Sequence, residues 1–295
     1  MAAKPRTTTR RDGKAGRFYS VDGAVSPLTG TSEFPSVTSI LQVLSRPALV
    51  AWSANTEREA CVEAAADLYA DLAKTPPLPR AAFVLTFQNR LSTVKAYRRE
   101  MENALDIGSQ AHKLVEHGIR KALGQVVGPE PKVRDEALLA YMAFQDWCQE
   151  HSVQALRIEQ QVYHPRLGYA GTLDLVARIN GELAIVDVKT AKAIYWEYEL
   201  QVAAYAAALA AMGHETVTKG YILRLPKNIE SDCRFEVVSV RPFDELMPVF
   251  ESLTHVWLAW WKEEQRSRAA WEKKRAGQVP AGEAPVAVQA GVEAF

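Results

Sequence analysis

The segment YAGTLDLVARINGELAIVDVKTAK, Tyr169 to Lys192, decides the fold. Two apolar runs flank Asn180-Gly181, the dipeptide that most strongly marks a two-residue type I′ hairpin. With that turn Ile179 pairs with Glu182, and counting outward sets Asp174 opposite Asp187 and Thr172 opposite Lys189. Side chains alternate with period two, so both pairs share one face. The two carboxylates then stand with Cβ atoms about 4.5–5.5 Å apart. Such a pair repels by about 3 kcal/mol at an effective dielectric of about 20, a large share of a domain's net stability. Protonation, a cation such as Lys189, or a bound metal relieves it. A divalent cation does so directly, because hard cations favour carboxylate oxygens. A solvent-facing, salt-bridged strand pair is the plainer alternative, but "GTLDLV" and "LAIVDV" are too apolar for a fully wet face. A bulge, or splaying of the strand ends, would shift the register.

Other polar residues are spaced to join such a site. His112 and Glu116 stand at i and i+4 on one helix face, near Gly108, where close backbone approach is easy. An imidazole and a carboxylate there suit a metal; a surface pair with Glu116 reaching Arg120 is the plainer reading. Gln201 and Tyr205 repeat the i, i+4 relation on an alanine-rich helix that can lie close to a sheet. Gln201 is placed to bond Lys189, a phosphate or a base, unless the two are an ordinary buried-edge pair. Glu159 reads as a surface strand residue, with a place in the same cleft as the alternative. Trp257, Trp260 and Trp261 read as core.

The chain has 295 residues, 48% of them hydrophobic, enough for one large domain or two small ones. Its formal net charge is zero, so a polyanionic partner must be met by a local patch. Cys61, Cys148 and Cys233 form no CxxC pair. That argues against a disulfide framework, a zinc knuckle or a four-cysteine iron–sulfur cluster, and favours a reducing, intracellular setting. No apolar run reaches the length of a membrane span. Near the N-terminus Lys4, Arg6, Arg10, Arg11, Lys14 and Arg17 face one acid, Asp12. This reads as a disordered tail, with a DNA-grazing arm or a transit peptide as the alternatives.

Periodicity divides the chain unevenly. A basic tail over 1–16 is followed by a mainly helical region over 17–107, with Ser36 or Thr38 as a helix N-cap. Helices are expected after Pro47 to about Leu72, over 81–102 and from 108 to Gly124. A core over 108–275 adds a helix over 134–150, five strands, a helix over 197–212 and a long C-terminal helix. The strands are "ALRIEQQVYHP", "AGTLDLVARI", "GELAIVDVKT", "KGYILRLP" and "RFEVVSVRP". Residues 276–295 read as a disordered tail. No GxxxxGK[ST] phosphate loop or nucleophile elbow is present.

Four pieces occur in order: Gly108-Ser109-Gln110-Ala111-His112 with Glu116; Gly171-Thr172-Leu173-Asp174; Asp187-Val188-Lys189-Thr190; and Gln201 to Tyr205. Together they resemble the PD-(D/E)XK nuclease superfamily in its RecB-like branch. With the N-terminal "FPSVTSIL" and Trp52, the chain is similar to phage and bacterial exonucleases and to the mitochondrial genome maintenance exonuclease. The resemblance implies a restriction-endonuclease-like α/β core, with a mixed sheet of about five strands flanked by helices and a helical N-terminal region. It implies a Mg²⁺- or Mn²⁺-dependent deoxyribonuclease without an iron–sulfur cluster.

It assigns His112, Asp174 and Asp187 as metal ligands, with the Val188 carbonyl as another. Lys189 positions or deprotonates water, Glu116 supports the centre, and Gln201, Tyr205 and Thr190 face the substrate. The expected activity is an exonuclease on DNA ends, single strands favoured, in phage or bacterial recombination, repair or genome maintenance. A structure-specific or flap endonuclease and a catalytically silent DNA-binding subunit are the alternatives. The expected setting is the cytoplasm of a bacterium or a phage-infected host, without a membrane association and with a recombination or single-strand-binding protein as a possible partner.

Overall fold

The computed structural model describes residues 8–13, 16–44, 47–73, 78–92, 96–226 and 235–276. Most of the expected C-terminal tail, together with Lys4, Arg6, Lys14 and Cys233, lies outside these residues.

The hairpin forms as its turn dictates. Strands β5 (Tyr169–Ile179) and β6 (Glu182–Lys189) pair antiparallel from Ile179↔Glu182 to Leu175↔Val186. Asn180 and Gly181 both take positive φ, 49° and 88°, as a type I′ turn requires. The ladder stops one residue short of the two carboxylates. Instead of facing Asp187 in a regular pair, Asp174 accepts a 2.7 Å hydrogen bond from the Val188 N–H. A charge-assisted bond to the backbone replaces a ladder bond and turns one carboxylate away from the other.

Around the hairpin lie β4 (Gln154–His164), β7 (Lys219–Arg224) and β8 (Glu236–Ser239), giving the order β4-β5-β6-β7-β8. Only β6 and β7 run parallel, and the connection between them carries helix α6 (Trp196–Ala211). The five expected strands and the mixed α/β architecture are therefore present. β6 is buried almost continuously from Ala184 to Val188, as a strand covered on both faces must be. On one face Ile185, Ile222 and Tyr169 pack against α6, against α1 (Val37–Leu41), and against Phe250 and Trp257 of α7 (Phe243–Ala276). On the other, Val186, Val188 and Leu223 pack against α4 (Ala96–Ala122) and α5 (Asp135–Glu150). Trp257 is core, as expected, and Trp261 stacks on it at 5.8 Å, whereas Trp260 is about half exposed.

Two features differ from the sequence reading. Thr8–Gly13, within the stretch expected to be disordered, forms β1, which pairs with β2 (Gly16–Val21) and through it with β3 (Glu33–Pro35). Asp12 binds both Arg10 and Arg17, so the basic run is partly neutralised by its own hairpin. The expected break between 102 and 108 is absent. Helix α4 runs through it, and the boundary proposed at 107/108 falls inside a helix. Helices α2 (Pro47–Leu72) and α3 (Arg80–Ser92) precede it, and Ser36 is the N-cap of α1, accepting from the Ser39 N–H. Among the described residues no helix is long and apolar enough to cross a membrane.

The N-terminal sheet is tied to the core beside the hairpin. Ser36 bridges to Ala170, and the buried Tyr19 hydroxyl lies 2.9 Å from Thr172 Oγ1, a contact spanning 153 residues. Phe18 packs on Trp257 at 6.1 Å.

Candidate active site

Two clusters meet where the hairpin ladder opens. The first is built on β6 and α6. Asp187 is 1% exposed. Its Oδ1 accepts from Gln201 Nε2 at 3.1 Å. Its Oδ2 lies 2.7 Å from Lys189 Nζ, but no hydrogen bond of good alignment reaches that oxygen. Lys189 donates to Gln201 Oε1 at 3.2 Å and stands 4.8 Å from the centre of the Tyr198 ring. Gln201 also donates to the Tyr205 hydroxyl at 3.1 Å. Of the partners open to Gln201, a phosphate, a base or Lys189, the structure has it bonded to Lys189. This bond is possible because Ala203, Ala204, Ala206 and Ala208 let α6 lie close to the sheet. Gly171 serves the same end: a Cβ there would meet Tyr205 Cε1 at 2.4 Å.

The second cluster joins α4, β4 and β5. Ligand atoms of His112, Glu159 and Asp174 all lie within 4.8 Å of one another. His112 Nδ1 is 3.9 Å from Asp174 Oδ2. Glu159 holds φ at 49°, rare for a residue that is not glycine. The strand order of packing changes there. Ile158 and Leu175 pack on the α4 face, whereas Val162 and Leu173 pack on the α6 face. An unbroken period of two would keep Leu173 and Leu175 on one side. Ile158↔Leu175 and Gln160↔Leu173 pair, so Glu159 stands across from Asp174 at this irregularity. It aims both carboxylates at His112.

The remaining sequence candidates divide. Glu116 is engaged by Arg120 at 2.8 Å, the plainer of its two readings. Val188 contributes its N–H to Asp174. Thr190 sits against α4, where a Cβ on Gly108 would meet its Oγ1 at 2.6 Å, so Gly108 serves close approach from the middle of the helix rather than its start. Asp187, expected among the metal ligands, is turned toward Gln201 and Lys189 and stands outside the group formed by His112, Glu159 and Asp174. Glu159, read as a surface strand residue with a place in the cleft as the alternative, takes the place in the cleft.

Burial lifts the Glu159 carboxyl to about 7, helped by the charges of Asp174 and Glu116 and opposed by Arg120. Burial lifts Asp187 to about 6 against the pull of Lys189, with Asp174 adding to the rise. Two carboxylates held above their ordinary range, with the Asp174 carboxylate and the His112 imidazole beside them, fit a site for a hard divalent cation. His112, Glu159 and Asp174 would hold it, with Asp187 beside them.

The sign of the pH dependence follows. Both acids keep protons in the folded state that the unfolded chain has already released. Stability is therefore lost as pH rises from about 4 to about 7, and a cation that favours the anions restores it. In EDTA, Glu159→Gln should flatten the fall in Tm between about pH 5 and about pH 7.5, and should reduce the rise in Tm that Mn²⁺ gives the parent protein. Equal Tm profiles for variant and parent, with and without Mn²⁺, would remove Glu159 from the site.

A family model described as the PD-(D/E)XK nuclease superfamily matches residues 80–285. The chain belongs to the PD-(D/E)XK nuclease superfamily. The match spans α3 to α7 and so contains every residue of both clusters. No curated protein matches the chain. Among solved structures, an alkaline exonuclease (LHK-Exo) from Laribacter hongkongensis is similar, alone and in complex with dAMP. Each comparison gives 13% identity and a TM-score of 0.35, covering 57% of this chain and 93% of that chain. PD-(D/E)XK nucleases use divalent metals, and the donor set described above is of the kind they require.

Proposed function

We propose that this PD-(D/E)XK nuclease is a Mg²⁺- or Mn²⁺-dependent deoxyribonuclease of the RecB-like branch that degrades DNA from free ends, single strands ahead of duplex. The observation that supports it best is the hydrogen-bonded unit of Asp187, Lys189 and Gln201 lying next to the His112, Glu159 and Asp174 cluster. When bound, the cation supplies Lewis acidity toward phosphate and lowers the pKa of water. The chain's own residues do the rest. Lys189 is fixed by Asp187, Gln201 and Tyr198, so its N–H donors are aimed before substrate arrives. It orients the attacking water and offsets negative charge growing on the phosphate oxygens. Gln201 bonds both Lys189 and Asp187 and is itself held by the Tyr205 hydroxyl, so the ion pair is kept in one orientation. Thr190 lines the approach between β6 and α4. A role in recombination, repair or genome maintenance in a phage-infected or bacterial cytoplasm, beside a single-strand-binding protein, fits this activity.

Digestion of end-labelled linear single- and double-stranded DNA and of a circular single strand, with Mg²⁺, Mn²⁺ or EDTA, tests the reading. Metal-dependent loss of the linear strands alone is the expected result. Cutting of the circle would replace it with an endonuclease. Binding without cleavage under either metal would leave a silent DNA-binding subunit.

A further inference from the structure

Immediately after Lys189 the chain becomes aromatic and cationic: Lys192, Tyr195, Trp196 and Tyr198 lie within ten residues of it. Tyr195 is 40% exposed and Trp196 49%. Tyr195 meets Tyr198 edge-on at 5.6 Å, and Tyr198 lies under the Lys189 ammonium at 4.8 Å. The Tyr195 ring is thus continuous with the centre through a single intervening ring, and the exposed Trp196 is its neighbour in the chain.

Helix propensity does not account for them. Tyr195 occupies the N-cap of α6, a position that favours Ser, Thr, Asp or Asn, and its side chain makes no capping bond. The connecting loop is held from the other side. Lys192 Nζ lies 5.4 Å from the centre of the Trp52 ring on α2, and Trp52 packs edge-on against Tyr97 of α4 at 5.1 Å. The N-terminal helices therefore fix the loop that presents the rings, and Lys192, itself exposed, adds a cation for phosphate.

We propose that Tyr195 and Trp196 form a stacking platform for unpaired bases of the strand whose backbone enters at Lys189. This rests on the nucleic-acid reading above and adds the residues that hold the unpaired bases. Paired bases are already stacked within a duplex, whereas the bases of a free strand can be unstacked, and aromatic side chains bind their exposed faces with little regard to sequence. Lys192, anchored on Trp52, meets the backbone beside the platform.

The test compares Tyr195→Ala/Trp196→Ala with the parent protein in EDTA, by anisotropy of a labelled oligothymidylate and of an abasic chain of the same length. Stacking predicts a loss of about 5- to 150-fold for oligothymidylate, unchanged affinity for the abasic chain, and recovery in Tyr195→Phe/Trp196→Phe. Equal losses on both chains, or no loss on either, would overturn the platform. Cleavage of linear DNA by the parent protein with Mn²⁺ is read in parallel. Cleavage with unaltered oligothymidylate binding by the alanine variant removes the platform alone. A base-dependent loss with no cleavage keeps the platform and removes the exonuclease.

Discussion

Lys189→Ala lowers the single-turnover cleavage rate by about 10³-fold while affinity for DNA in EDTA changes by less than about threefold. The rate loss has two sources. The first is the ammonium itself, whose fixed donors face the reacting phosphate; one such donor is worth about 10²- to 10³-fold. The second passes through Asp187. Burial drives that carboxyl upward and Lys189 is the strongest influence holding it down, so loss of the ammonium shifts Asp187 further toward its protonated form. Binding survives because one cation among several backbone contacts contributes little on its own. Lys189→Arg is not a rescue, since a planar fork cannot reproduce a point charge seated between Asp187 and Gln201. A Lys189→Ala protein cleaving within tenfold of the parent would refute the assignment.

Asp174→Asn separates metal from fold. The amide oxygen can still accept the Val188 N–H, so the hairpin opening is kept. What disappears is the negative charge beside His112 and Glu159. Mn²⁺ affinity, measured by calorimetry, falls by about 10²-fold or more, since even changes behind the ligands cost about 10- to 100-fold. Glu159 titrates lower in this variant, because the Asp174 charge is the largest influence after burial that lifts it. Unchanged Mn²⁺ affinity would move the cation away from this cluster toward Asp187.

The part of the site legible in sequence is the part governed by short range. Asn180-Gly181 sets a register that holds to Leu175↔Val186, and the i, i+4 relation of Gln201 and Tyr205 survives because a helix enforces it. What was hidden is long-range or irregular. Glu159 enters through a left-handed residue in β4, which no alternation pattern announces. The opening at Asp174 depends on a side chain outcompeting a ladder bond. Gly108 looked like a helix start because glycine lowers helix propensity, yet its missing Cβ admits Thr190 against an unbroken α4. Composition made 8–13 look like a tail, but its partner strand lies just across Gly13 and Gly16.

The tie between Tyr19 and Thr172, and between Phe18 and Trp257, bears on how the protein is made. Contacts so distant along the chain form late, and a ribosome releases residues from the N-terminus onward. His112 is extruded long before Gln201, and both precede the helix that holds Trp257. A chain released only as far as Lys189 thus carries the carboxylates of the site before the helix that packs on Phe18 has been made.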